Sequence, residues 1–494
     1  MKIYALVAAA GLFLVVGIIW KGQRNVSDSL ENIKVRIGTA KVLPDPTKIE
    51  TTGDWYFLDH ISSGLVSYDF DKGSFTPNIA SGWEITKDRE HIFKIRKDLN
   101  FNDGSPITIE DIVASLKRVL IKKTSTHLPL WNYIEGCANL KSVDDDCPGL
   151  RVTKEGDLSI TLITKSESFF LQLASPETGL WAKVDIAEDL SLKPTKFSGP
   201  YAIEKSTELG FLLKRNEESL ISKKFPQSPR TIDLVSIPMT KAEEDLNTGK
   251  IDLLLRSHNP FAESDRSSFG VNVYKTAPAT IVYLHSVHNN ESIKLVGQDF
   301  IQKLWAVKTD EAIAADTFLP FANKYSLTKP EFLNALPKTS AKKIRVGKPW
   351  NFYSDKFIST IKDAAKASGI DIEMVHLEPS EWSAAFENPK AKDKIDFILT
   401  PYVASERYPA VQLRFLTGRN KKSPIDLIEA ESPDLTPKKI SVLKDYQKWM
   451  LESQSAVPLF FTRMHLYHRD HIDLGSQSLT DGEVELWRLK KRLK

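Results

Sequence analysis

Phe93-Lys94-Ile95-Arg96-Lys97-Asp98-Leu99-Asn100-Phe101-Asn102-Asp103-Gly104-Ser105-Pro106-Ile107-Thr108 is the stretch from which the fold is best read. It closes a run from Trp83 to Ile95 that alternates apolar and polar residues, the period of a half-buried strand. Asn102 to Pro106 then concentrates the residue types that turns demand. Thr108 stands three positions before Asp111, a capping-box-like helix start, and Ile112, Val113, Leu116 and Val119 follow at helical spacing. A strand, a turn and a capped helix therefore succeed one another.

The same vocabulary extends in both directions. Val35–Gly38 reads as a first strand, and Asp54–Leu65 has helical spacing with Gly64 near its end. Leu158–Leu162, Phe211–Lys214 and Ile232–Ile237 read as strands. Ala242–Thr248 reads as a helix closed by Gly249, with Ile251–Leu254 as the next strand. Ser354–Ser368 looks helical and passes through Gly369 into a strand at Ile370–Glu373. There is no short-period repeat and no low-complexity segment. These patterns predict a mixed α/β chain of several domains.

Composition agrees with that and narrows the function. The 494 residues exceed one ordinary domain, and 41% hydrophobic with 10% aromatic content is ample for large cores. Lys+Arg number 67 against 64 Asp+Glu, a formal charge of +3. No concentrated basic field points to nucleic acid. The basic run Trp487–Lys494 reads as a solvated tail, with contact to a membrane surface as the other account.

Lys2, an apolar stretch from Ile3 to Trp20, and then Lys21 and Arg24 form a secretory signal or an uncleaved anchor. The stretch just reaches the length that spans a bilayer. No cysteine follows it, so lipidation at such a cysteine is not expected. The two cysteines, Cys137 and Cys147, flank a polar, acidic loop, and outside the cytoplasm such a pair reads as a disulfide. Closing so short a loop contributes about 2–3 kcal/mol.

Several segments together resemble family 5 of the extracellular solute-binding proteins, the oligopeptide, dipeptide and nickel receptors of ABC importers. The resemblance runs through Gly64–Asp69, Pro77–Glu84, Phe93–Thr108 and Asp111–Val119 in that order. Ser198-Gly199-Pro200-Tyr201, Lys214-Arg215-Asn216, Gly249-Lys250-Ile251-Asp252, Gly369–Ile372 and Tyr408-Pro409 resemble further landmarks. It implies a bilobal periplasmic-binding-protein fold of the large peptide-binding type, α/β, with a discontinuous first lobe and an extra small domain.

The division expected from the resemblance assigns 1–22 to a signal peptide or signal anchor and 23–34 to a linker. Residues 35–70 then open lobe I, 71–180 form the small α/β domain, and 181–273 continue lobe I. Residues 274–464 form lobe II, and 465–494 return to lobe I. The chain crossings fall near Val271–Pro278 and Phe461–Asp470. Partners implied are a peptide or peptide-like solute and an inner-membrane permease with separate ATPase subunits. A monomer is expected, periplasmic and possible to anchor through its N-terminal segment, with no cofactor and no nucleic acid.

The resemblance also nominates residues for the solute. Asp45–Thr52 resembles a segment that lies along the bound peptide, pairing main chain with main chain as an added strand does. Glu50 matches a contacting carboxylate and Thr52 a backbone contact; Glu50 is equally the kind of acid that solvated loops carry. Trp382 and Tyr402 match aromatic pocket positions, though Trp382 also suits a core at a helix start. Where peptide receptors place an aspartate against the free amino group, this chain has Ser405, with Glu406 beside it. A buried ammonium left without its counter-charge costs roughly 3–5 kcal/mol. Glu406 replaces the aspartate, or the solute lacks a free amino terminus, or peptide binding is lost. A tethered sensor or interaction module with the same fold is the second reading.

Chemical motifs are few. Asn247-Thr248-Gly249-Lys250-Ile251 is not a Walker A sequence, and no G-x-S-x-G or H-E-x-x-H pattern occurs. His465, His468 and His471 recur every three residues and on a helix would share a face fit for nickel or zinc. In an extended crossing they would alternate between faces instead. His285 and His288 raise the same question. A metal-dependent hydrolase is thus the third reading, resting on these histidines alone.

Overall fold

The computed structural model describes residues 30–492 except 39–40, 50–51, 70, 73, 87–88, 123–133, 167–168, 258–269, 279, 289–293, 308–311, 320–324, 350–352, 387–390, 392, 404–408, 418–422, 424, 426, 428–435 and 478–483. The expectations placed on the N-terminal apolar segment lie outside the described residues. Among the described residues, no helix is long and apolar enough to cross a membrane.

Two large sheets and one small one organise these residues. The first sheet runs, edge to edge, through Val271–Lys275, His465–Arg469, Leu253–Ser257, Asn32–Gly38, Thr231–Ser236, Gly210–Arg215 and Tyr201–Ser206. Asn32–Gly38 is parallel to both of its neighbours, and the remaining pairs are antiparallel. The strand His465–Arg469 comes from far along the chain and is inserted between Leu253–Ser257 and Val271–Lys275. The first sheet is therefore assembled from early and late sequence.

The second sheet runs through Ala312–Ala314, Ala456–Thr462, Thr280–Ser286, Phe397–Val403, Lys343–Pro349 and Asp371–Leu377. Lys343–Pro349 is parallel to both neighbours. Every residue of Thr280–Ser286 and of Ala456–Thr462 is buried, as strands covered on both faces require. Helix Asp355–Ala367 covers this sheet with Phe357, Ile358, Ile361, Ala364 and Ala365, one helical face. Ser354 caps its start by accepting from the Phe357 N–H, and Gly369 at φ +79° ends it.

The third sheet, Ala80–Thr86, Glu90–Ile95, Leu158–Thr161 and Leu150–Val152, is antiparallel throughout. The alternating run Trp83–Ile95, expected as one strand, is a hairpin. Its two arms put Trp83 opposite Phe93 and Ile85 opposite His91, so the alternation continues across the turn. This sheet has its own core, drawn from Leu65 to Leu180, including Phe93, Leu116, Ile160 and Phe169. The Cys137–Cys147 disulfide is formed, with both residues buried in that core.

The chain passes between the two large sheets twice, from Lys275 to Thr280 and from Thr462 to His465. The two crossings are joined. The Thr276 N–H donates to the Met464 carbonyl, and the Met464 N–H donates to Thr276 Oγ1, each at 2.9 Å. The Arg463 guanidinium donates to the Thr276 carbonyl at 2.8 Å. Thr276 and Met464 are fully buried, so these bonds exchange little with water.

Candidate functional site

Strand direction decides where a site can form. In the first sheet Gly38 pairs with Ser236, Ser257 with His465, and His465 with Lys275. The carboxyl ends of its parallel strands thus lie on the edge from which the chain crosses. In the second sheet Thr280 pairs with both Thr462 and Val403, and Pro349 with Leu377. The carboxyl ends of its parallel strands also lie on the crossing edge. Segments leaving the carboxyl ends of parallel strands are where open α/β sheets place ligands.

The nominated residues belong to those segments. Residues 41–49 follow strand Asn32–Gly38 and include the short 3-10 turn Pro46–Lys48. Thr52 opens helix Thr52–Ile61, while Glu50 and Thr51 lie outside the described residues. Tyr402 is near the carboxyl end of Phe397–Val403, and Ser405 and Glu406, which follow that strand, lie outside the described residues. Trp382 is on helix Pro379–Ala385, entered directly from the carboxyl end of Asp371–Leu377. Among the described residues, Tyr402 and Trp382 therefore lie at or just past strand ends on the crossing edge.

The two aromatic residues are partly buried and held by packing. Tyr402 stacks on Phe415 with ring centroids 4.2 Å apart, and burial pushes its hydroxyl up to about 12. Trp382 meets Phe386 edge to face at 4.9 Å and packs with Val287, Leu377, Ile395 and Ile398. Its indole Nε1 finds no acceptor among the described residues. The packing matches the core reading of Trp382 at a helix start.

A residue that sequence reasoning missed stands behind the 45–49 segment. Helix Ile109–Lys122 turns Ile112, Leu116 and Leu120 into the small sheet's core. Its other buried stripe is polar and spaced as neighbours on one face: Asp111, Ser115 and Arg118. Asp111 accepts from the Lys183 N–H at 2.7 Å, and Ser115 exchanges hydrogen bonds with Trp181. Arg118, 1% exposed, donates through Nη2 to both carboxylate oxygens of Asp45 at 2.8 Å, and through Nε to the Leu190 carbonyl at 2.9 Å. Asp45 in turn caps the 3-10 turn by accepting from the Thr47 N–H at 2.9 Å. The only signal in the sequence was a cation set among helical apolar positions.

Other conspicuous motifs hold the fold together. Asn216, buried, donates to the carbonyls of Phe197 and Gly199, and its own N–H donates to Pro200, so the Arg-Asn and Gly-Pro-Tyr landmarks clasp each other. Gly199 is required there: a Cβ would stand 2.5 Å from the backbone of Ile61. Asp252 accepts from the Lys34 N–H at 2.8 Å and presents its carbonyl to Arg469, splicing two strands.

The histidines do not assemble. His465 and His468 are buried on strand His465–Arg469, while His471 lies beyond it, 3.4 Å from Asp252. Burial lowers the pKa of His468. His288 lies at the end of the second sheet away from the crossing, 3.5 Å from Asp396. There burial pushes the Asp396 carboxyl up, and hydrogen bonds from the Arg345 side chain and N–H bring it below the ordinary range. Among the described residues, no group of three His, Cys, Asp or Glu is placed to hold a metal ion.

Comparison with known proteins agrees with this architecture. Residues 74–296 match the sequence model of bacterial extracellular solute-binding proteins, family 5 middle. The periplasmic oligopeptide-binding protein OppA of Escherichia coli is 26% identical over 142 residues, 27% of this chain and 25% of OppA. The chain thus matches about a quarter of the length of such curated relatives. The solved oligopeptide-binding protein OppAIV of Borrelia burgdorferi superposes with a TM-score of 0.71 at 17% identity, over 94% of this chain and 100% of that one. DppA of Helicobacter pylori, solved with the peptide STSA, gives 0.70 at 15% identity over 95% and 100%. Residues 74–296 are thus similar in sequence to the family 5 extracellular solute-binding proteins, and the bilobal fold of these solved proteins is shared over nearly the whole length of the chain.

Proposed function

We propose that this protein is the extracytoplasmic receptor of an ABC importer, holding a peptide or peptide-like solute between two lobes and delivering it to a permease driven by separate ATPase subunits. The observation that supports this reading is the crossing edge: parallel strands of both large sheets end there, and among the described residues Tyr402 lies near such an end and Trp382 on a helix entered from one. Two bodies linked by a pair of short crossings can close over a guest, and closure gains contacts only when the guest is present.

In this reading the lobes divide at the two crossings. The segment 45–52 runs along the solute main chain, with Glu50 and Thr52 in contact. Trp382 and Tyr402 wall the pocket, and Ser405 with Glu406 meets the solute's amino end. The protein works in the periplasm as a monomer, exported and held near the inner membrane by the apolar segment Ile3–Trp20.

The test is titration with trialanine and with N-acetyl-trialanine, read by calorimetry and small-angle scattering. Binding of either probe with a fall in radius of gyration is expected. No compaction with either, together with no small molecule co-purifying from the periplasm, refutes the proposal.

A further inference from the structure

We propose that Arg118 is a positioning residue for solute binding, through which the small body sets the conformation of the solute-facing segment. The inference rests on the receptor reading given above and goes beyond it. Arg118 belongs by its helix to the small sheet's core, whereas Asp45 belongs to the segment that leaves the first sheet at the crossing edge. One guanidinium therefore ties three stretches that are distant in sequence: 45–47, 118 and 190.

Each partner is shaped for this contact. Asp45 uses both carboxylate oxygens on Arg118 while one of them also accepts from the Thr47 N–H and hydroxyl. The same carboxylate thus shapes the turn and anchors it. Leu190 has φ +64°, a left-handed backbone that a branched residue adopts at a cost, and its carbonyl is the one that Arg118 Nε meets. Arg118 Nη1 is buried and finds no acceptor among the described residues.

A buried ion pair with an unused donor is a poor way to gain stability, since apolar groups of the same volume commonly do as well. What this contact supplies is direction: Nη2 shared between both carboxylate oxygens, with Nε held on the Leu190 carbonyl, fixes the carboxylate, and here the turn built on it, in one orientation. A solute recognised through its main chain needs such fixed backbone groups, because an unfixed segment must be ordered at the moment of binding.

The experiment is a double-mutant cycle on the full chain with Asp45→Asn, Arg118→Met and both together, and Arg118→Lys as the conservative variant. Affinity for trialanine and N-acetyl-trialanine is measured by calorimetry, and hydrogen exchange is followed at residues 47–49. Each single change is expected to weaken binding at least tenfold and to speed exchange at 47–49 at least tenfold. The double variant should bind no worse than the weaker single, because one linkage has been cut twice. Arg118→Lys should recover part of the affinity.

Single variants that bind as the wild type does, or losses that multiply in the double variant, overturn the inference. Should Arg118→Met fail to fold, Asp45→Asn, which keeps an acceptor for Thr47, decides alone. Wild-type protein that binds neither probe removes the receptor reading and this inference with it, and the wild-type titration distinguishes that outcome from failure of the linkage itself.

Discussion

Acid should weaken this protein through one buried histidine more than through any exposed group, and His60→Gln isolates the effect. His60 is fully buried on helix Thr52–Ile61, its Nδ1 donating to the Tyr56 carbonyl at 2.7 Å and its ring 4.6 Å from Tyr56 and 4.9 Å from Trp487. Burial among these rings lowers its pKa from 6.5 to about 4. Between those values the unfolded chain takes up a proton that the folded chain refuses. Stability from His60 is therefore complete above pH 6.5 and drains as pH falls. The slope is about 1.4 kcal/mol per pH unit, and about 3 kcal/mol is lost by pH 4. Between pH 7 and pH 5, before most carboxylates titrate, the loss is about 2 kcal/mol. His91 and His468 are shifted the same way by burial and add to it. The assay is urea unfolding at pH 7, 6 and 5, followed by hydrogen exchange in strand Asn32–Gly38. His60→Gln should start lower at pH 7 and lose about 2 kcal/mol less over that range. A variant whose stability falls as steeply as the wild type's refutes the reasoning.

Two further outcomes are expected. Replacing Cys137 and Cys147 together by serine should lower stability by about 2–3 kcal/mol, with faster hydrogen exchange confined to the small sheet (residues 80–161); an effect spread over all three sheets contradicts the separate core. Glu406→Gln should weaken trialanine at least tenfold while leaving N-acetyl-trialanine within twofold, and Ser405→Ala should change neither; equal losses for both probes remove Glu406 from amine recognition.

Much of the fold was legible because it rests on local chemistry. Thr108 and Asp111 do form the expected reciprocal cap, with the Thr108 N–H donating to Asp111 at 2.9 Å and the Asp111 N–H to the Thr108 hydroxyl at 3.3 Å. The turn Asn102–Pro106 has Gly104 at φ +81° and Asp103 accepting from Ser105, as its composition suggested. The hairpin within Trp83–Ile95 was not legible, since Lys87-Asp88-Arg89 offers no glycine or proline and both arms keep one face inward.

The site divides along similar lines. That Tyr402 and Trp382 belong near one another could be expected from the family's landmarks, but the shared direction of strands Phe397–Val403 and Asp371–Leu377 is a property of pairing between distant segments. Arg118 was invisible for a stronger reason. A cation one position from an apolar stripe is ordinary on a helix surface, and only the approach of Asp45 and Leu190 from elsewhere in the chain makes it buried. Asn216 is a second case, a landmark whose meaning lies in the backbone of Phe197 and Gly199.

The insertion of His465–Arg469 between two strands completed some two hundred residues earlier has a consequence for biogenesis. As the polypeptide is made, Leu253–Ser257 and Val271–Lys275 are exposed with a vacant lane between them until residue 469 follows. Their unmet N–H and C=O groups offer pairing to any passing chain during that interval. The second sheet can mature meanwhile, because its strands all lie between Thr280 and Thr462. The last lane to be filled is also the one beside the two crossings, so the hydrogen bonds that join Thr276 to Met464 cannot form until the polypeptide is nearly whole.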